Sequence, residues 1–342
     1  MFADGEKLIG TVEKATAASV TFKSNMAGEI TAPWSKIKEL HSSGRFAVIE
    51  KGVKLRWGHG LPNVPQGTLA VADGKLRIQP TPSAPPVPIP VANVQNVVGA
   101  AAFQRDVLER PGFFSDWTGS ATAGASLVIA TQNERTYTSN ISLTRTMPTE
   151  DWLTPDNRTD IVFTSAYGLL KQPGQPSIET SILHGEAQHD KYFTPSLFAF
   201  GDAAFDHNYA QGLDLQQTYG GGIGWTTIKT AVEELDLKAA LTYMRQQFQV
   251  AEANQNLIGA EFSEDFTRKF LHGLLLKEQA AVLPAFNNTN AYSAIGDIAL
   301  TLPVYKRAGV SVSITDNYLN NPPIGFKKNS LTFTTGASYT IP

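Results

Sequence analysis

Among the residues that could do chemistry, the six histidines, His41, His59, His184, His189, His207 and His272, come first. His184 and His189 lie five apart with Glu186 between them. On an extended chain that spacing sends the two rings to opposite faces, which is poor geometry for a shared metal ion. Asp206-His207-Asn208 raises a second chemistry, a hydrolytic relay, but no serine stands at a spacing that would pair it with His207. Gly220-Gly221-Gly222-Ile223-Gly224 has the glycine density of a phosphate loop, yet no Lys-Ser/Thr follows, so close approach of a neighbouring chain is the better reading. The remaining candidates are charges that share a parity: Glu261, Asp265 and Lys269 alternate with Phe262, Phe266 and Phe270, and Asp214, Asp236 and Lys238 alternate with apolar neighbours in the same way. These six read as a charged stripe, either selecting solutes or neutralising itself. No residue is expected to be catalytic, and no metal or cofactor is expected.

The elements that must carry these residues are strands. From Trp117 onward the hydrophobic period is two, as in Tyr137, Ser139, Ile141 and Leu143, in Leu235 through Tyr243, in Ile298 through Val304 and in Leu331 through Ile341. Eleven turn clusters divide residues 113–342, among them Gln132-Asn133, Gln172 to Gln175, Gln211-Gly212, His272-Gly273, Arg307 to Gly309 and Asn320 to Pro323, so about twelve strands are expected. Each is long enough for the ~9 to 11 residues of a tilted membrane strand. Aromatic residues such as Tyr137, Trp225, Tyr243, Phe333 and Tyr339 fall on the apolar face near strand ends, whereas ionisable residues sit deep on the other. Such charges can pair across a wet lumen and would each be costly in a dry core. The expected fold is therefore all-β: a transmembrane barrel over residues 113–342 with the apolar face toward lipid. No predicted loop exceeds about a dozen residues, which argues against a large loop plug.

Residues 1–112 read differently. Gly10-Thr11-Val12, Val20-Thr21-Phe22, Ile30, Trp34, Ile37 and Leu40 recur near an offset of 57 as Gly67-Thr68-Leu69, Leu76-Arg77-Ile78, Val87, Val91, Val94 and Val97. Two small SH3-like or Sm-like β units are expected, 1–57 and 58–98, the second with a hairpin at Asp73-Gly74 and an edge strand in the proline-rich stretch Pro80 to Pro90. Residues 99–112 are expected to be a linker with one short helical turn through Phe103 and Val107.

The chain of 342 residues has no cysteine, is 17% charged and 42% apolar, and contains no apolar run of the ~18 residues that a membrane helix needs. Disordered, collagen-like and disulfide-framework classes are excluded. Residues 1–112 carry 13 Lys and Arg against 9 Asp and Glu, the remainder 15 against 22, giving the net −3. Neither half has the basic character of a nucleic-acid binder. The opening residues lack the basic and apolar segments of a signal peptide, so an exported form would be one from which it has been removed.

The run Phe200-Gly201-Asp202-Ala203-Ala204-Phe205-Asp206-His207-Asn208-Tyr209 and the following Gly212 to Trp225 resemble a family of salt-induced outer-membrane proteins (YdiY-like), classed as a domain of unknown function. Asn287 to Tyr292, Leu319 to Pro323 and the entry segment Phe103 to Trp117 are similar too. The resemblance implies a Gram-negative outer-membrane location, with residues 1–112 in the periplasm, and implies no catalytic residues. Two functions are compatible with it. One is a narrow passive solute channel or envelope structural element; the other is an assembly protein whose residues 1–112 bind a periplasmic partner or another copy, with the barrel as lipid anchor.

Overall fold

The computed structural model describes the chain apart from residues 54, 56–63, 110–111, 130–132, 150–152, 173 and 342, and apart from the side chains of 106, 127–129 and 133. The expected boundary between the two small units lies outside the described residues, as do His59, Pro111 and parts of three expected turns. Two compact units emerge: Met1–Ser115 with Pro148–Leu153, and Asp116–Met147 with Thr154–Pro342.

In the first unit the repeat is visible strand by strand. β1 (Thr11–Thr16), β2 (Ser19–Ser24), β3 (Gly28–Pro33), a 3-10 turn at Trp34–Lys36 and β4 (Glu39–Glu50) correspond to β5 (Gln66–Ala72), β6 (Lys75–Gln79), β7 (Val87–Pro90), a 3-10 turn at Val91–Asn93 and β8 (Val94–Gly99). The repeats do not close as two separate barrels. They form one eight-stranded sheet in the order β3-β2-β1-β8-β4-β5-β6-β7, in which the last strand of each repeat pairs with the first strand of the other. One core results, drawing Val12, Val20, Leu40 and Val48 from the first repeat and Leu69, Leu76, Ile78 and Val97 from the second. A single shared core buries more apolar surface than two separate units of this size could. Asp73 and Gly74 both take positive φ, 53° and 68°, as a two-residue hairpin between β5 and β6 requires. β7 is the edge strand its prolines demand.

Residues 99–112 are more than a linker. α1 (Ala100–Phe103) continues as a π-helical segment at Gln104–Glu109. It buries Phe103 completely and Val107 nearly so against Ala47, Ile49, Val98 and Leu153. Fully burying a Phe side chain contributes about 1.5–3 kcal/mol.

In the second unit the strands are β9 (Thr118–Ile129), β10 (Asn133–Met147), β11 (Asn157–Lys171), β12 (Ile178–Tyr192), β13 (Leu197–Asn208), β14 (Leu213–Lys229), β15 (Glu233–Phe248), β16 (Gln255–Lys269), β17 (Leu275–Leu283), β18 (Ser293–Tyr305), β19 (Ala308–Leu319) and β20 (Asn329–Ile341). Each pairs antiparallel with its sequence neighbours, and β20 pairs with β9 to close a twelve-stranded barrel. Every expected turn cluster falls between strands or at a strand end, because the polar, Gly and Asn residues that break the alternation are those that let the chain reverse.

The register, continuous along β15 and β16, fixes the faces. Along β15, Asp236, Lys238, Ala240, Thr242, Met244, Gln246 and Phe248 are buried inward, while Leu237, Leu241 and Tyr243 point out and are exposed, Leu241 to 69%. Ile223, Phe262, Ile298, Val312, Leu331 and Phe333 continue this outward apolar surface around the barrel. In water so large an apolar surface would be unstable; against hydrocarbon it is matched, and closure leaves no unpaired strand edge. The barrel is of outer-membrane type.

Candidate functional site

The barrel interior gathers the ionisable groups. In β11 the inward residues are even-numbered, and register places Arg158 opposite Asp190 of β12. From there the guanidinium spans the interior. Its Nε donates to Asp190 at 2.7 Å, its Nη2 to Asp236 of β15 at 2.7 Å and its Nη1 to Glu234 at 3.2 Å, with Asp160 also 3.2 Å from Nε. Asp190 is fully buried and Asp236 is 2% exposed. The guanidinium also lies over the rings of Phe198 and Tyr192, at 5.3 and 5.9 Å from their centroids, which suits a planar and weakly hydrated cation. One turn of pleat along β15, Lys238 pairs with Asp265 at 2.7 Å and donates to Gln188 at 2.8 Å, and Gln188 in turn donates to Asp190.

Of the six charges expected on the stripe, Asp236, Lys238, Glu261 and Asp265 lie on the inward face, matched through the β15–β16 register. Glu261 accepts from Ser263 at 2.8 Å. Lys269 keeps the inward parity but sits exposed at the end of β16. Asp214 departs from the stripe. A β-bulge between Leu213 and Leu215 takes up the extra residue, so Leu213 and Gln216 face inward while Asp214 is exposed and offers its backbone carbonyl to His207. Sequence reasoning missed Arg158, Asp190, Glu186 and Asp202, although the even-numbered alternation of β11, β12 and β13 would have exposed them.

The histidines separate as their parity requires. His184 faces inward, with Nδ1 2.7 Å from Asp206 and Nε2 3.4 Å from Glu186, whereas His189 faces outward beside Thr159. Asp206 and His207 lie on opposite faces of β13 and form no relay. The glycines of β14 make room for the facing strand. A Cβ on Gly224 would collide with the Phe198 ring, and one on Gly220 with the Asp202 carboxylate.

From Asp206 a chain of amides runs circumferentially. Asn288 donates to Gln255, Gln255 to Gln246, Gln246 to Gln216 and Gln216 to Asp206, with spacings of 3.1, 2.8, 2.7 and 3.2 Å. At this end of the barrel the connection 320–328 reaches across to the turn at Tyr209–Gln211. Gln211, 4% exposed, donates to the carbonyls of Asn317 and Lys328 at 2.9 Å each, Lys327 donates to the Ala210 carbonyl, and the Phe326 ring covers Gly212. The connection is nine residues long, in line with the expectation of short loops and no large plug.

The opposite wall has another character. The inward residues of β9, β10, β19 and β20 include Thr122, Thr138, Ser313, Thr332 and Thr334, small hydroxyls that are half-buried. Pointing inward, they owe their exposure to space inside the barrel. Lys277 of β17 crosses this space, with Nζ 3.3 Å from Ser142 of β10.

No curated protein matches the chain. Among solved structures it is similar to the NanC porin, at 8% identity and TM-score 0.38 over 64% of this chain and 98% of that one. It is also similar to the β domain of the Bordetella autotransporter BrkA, at 9% and 0.31 over 66% and 99%, and to the translocator domain of the autotransporter NalP from Neisseria meningitidis, at 8% and 0.33 over 68% and 90%. Residues 121–341 match the family described as protein of unknown function DUF481, and the chain belongs to that family.

Proposed function

We propose that the protein is a narrow passive conduit for small polar solutes in the Gram-negative outer membrane, with residues 1–112 in the periplasm. The observation that carries the reading is the asymmetry of the interior. The inward face of β15 is buried from Asp236 to Phe248, whereas on the opposite wall Thr122, Thr138, Ser313, Thr332 and Thr334 are half-buried, between the buried Ser311, Ser330 and Ser338. Arg158, Lys238 and Lys277 reach across the interior, so on this reading the path is a slot along that wall rather than a wide pore. Such a slot passes a polar solute by replacing its water with hydroxyl partners and offers no deep site to retain it. The reading assigns no catalysis, in keeping with His207 facing outward onto a backbone carbonyl.

Single-channel recording in planar bilayers tests it. Purified protein that shows heat-modifiable gel mobility, and so is a closed barrel, is expected to give small, reproducible unitary steps. A correctly inserted but silent barrel would overturn the reading.

A second reading, that residues 1–112 bind a protein partner or another copy, draws on the first unit. A cleft of about 300 Å³ there is lined by Phe2, Leu8, Ile9, Phe22, Ile37 and Leu40, and Ile9 is 92% exposed. Concentration-dependent self-association of the detergent-solubilised chain, abolished by Ile9→Glu, would favour it.

A further inference from the structure

Charge inside the barrel is unbalanced. Around Arg158 stand four carboxylates, Asp160, Asp190, Glu234 and Asp236, and among the described residues Lys229 also pairs with one of them, reaching Glu234 at 3.5 Å from a side chain 40% exposed. Further along, Lys238 is committed to Asp265, and His184 bridges Asp206 and Glu186. Asp202 and Glu261 form no ion pair within 4 Å among the described residues; they repel each other and Glu186, and share with Asp265 the attraction of the single cation Lys238. Lys277 faces Asp160, Asp265 and Asp297 and is outnumbered by them.

The excess is accompanied by unmet hydrogen-bonding capacity. Asp236 is 2% exposed and directed inward, and its Oδ1 has no hydrogen-bond partner among the described residues; Asp202 Oδ1 is buried in the same condition. Buried carboxylate oxygens of this kind are costly unless a positive group joins them. Among the described residues too few cations face them, and the negative field that remains attracts mobile cations to the parts of the interior that water reaches.

We propose that the conduit is cation-selective, its permeant species being small inorganic cations drawn in by the unmatched carboxylates of β11, β12, β13, β15 and β16. The inference rests on the channel reading and goes beyond it by naming the permeant class. Part-exposed Asp202 and Glu261 face the interior directly, and buried Asp190 and Asp236 act through the field they project into it; negative charge beside a narrow passage raises the local cation concentration and repels anions, most strongly where low-dielectric walls focus the field. The open hydroxyl wall supplies neutral oxygen ligands along the same path. Lys277 acts against the field, and its neutralisation strengthens the preference.

The test is the reversal potential of the full chain in a planar bilayer under a KCl gradient. K⁺ is expected to permeate over Cl⁻ by roughly tenfold at 0.1 M salt, a preference that shrinks toward unity near 1 M as the field is screened. Asp202→Asn combined with Glu261→Gln lowers the ratio at 0.1 M, and Lys277→Gln raises it; heat-modifiable mobility checks that each variant is folded. A wild-type ratio at or below unity in a conducting barrel would overturn cation selectivity and leave the channel reading standing. A ratio insensitive to salt and to the folded variants would overturn the assignment to these carboxylates. Absence of any current refutes the channel reading, and this inference with it.

Discussion

Arg158→Met removes the guanidinium on which the interior of β11, β12 and β15 converges, while preserving an apolar stem beside Phe198. Two carboxylates then lose their short partners, Asp190 with no exposed surface and Asp236 with 2%. Breaking a buried pair by removing one member costs about 3–5 kcal/mol, chiefly because the remaining charge is stranded. Glu234 and Asp160, at 34% and 30% side-chain exposure, are screened by water and add little. Loss of the contacts with the Phe198 and Tyr192 rings adds roughly 0.5–2 kcal/mol. The expected loss is therefore about 3.5–7 kcal/mol, read by urea unfolding of the barrel in lipid vesicles with tryptophan fluorescence and by the temperature at which the compact gel band disappears. The triple variant Arg158→Met, Asp190→Asn, Asp236→Asn removes the stranded charges and is expected to regain most of that loss, since residues in one network are not additive. A single variant that loses less than about 1 kcal/mol, or a triple variant no more stable than the single, would refute the claim that this guanidinium balances the interior.

Two further expectations test the faces and the strap. Leu241→Arg, on the outward face in the middle of β15, is expected to destabilise the barrel by about 2–4 kcal/mol in vesicles, whereas Thr334→Arg on the inward face of β20 is expected to be tolerated; equal costs would mean the parity is misassigned. Gln211→Ala removes two part-buried hydrogen bonds, one to the Asn317 carbonyl of β19 and one to the Lys328 carbonyl at the end of the strap 320–328, together worth about 1–3 kcal/mol. Trypsin cleavage at Lys327 and Lys328 is expected to accelerate by roughly tenfold or more if local opening governs access, and an unchanged rate would show that the strap is held elsewhere.

Much of this molecule is written in local pattern. Strict alternation and the turn clusters specified twelve strands and their connections, because the side-chain period of a strand is two and any slip of one residue would exchange its faces. The same periodicity placed Asp236, Lys238, Glu261 and Asp265 inward before any contact was known, and the repeat at an offset of 57 aligned β1 to β4 with β5 to β8. Where the chain breaks its own period, pattern fails: the bulge at Leu213–Leu215 carries Asp214 off the stripe, and nothing in its neighbours announces that.

Partnership across space belongs to the tertiary structure alone. Arg158 and Asp236 are 78 residues apart and meet only because closing twelve strands brings β11 and β15 face to face. Likewise the exchange of β4 and β8 between repeats, and the burial of Phe103 where a linker was expected, depend on which surfaces find each other once the strands exist. Alternation in the sequence determined which side chains look inward; closure decided which of them meet, gathering four carboxylates around the single guanidinium of Arg158.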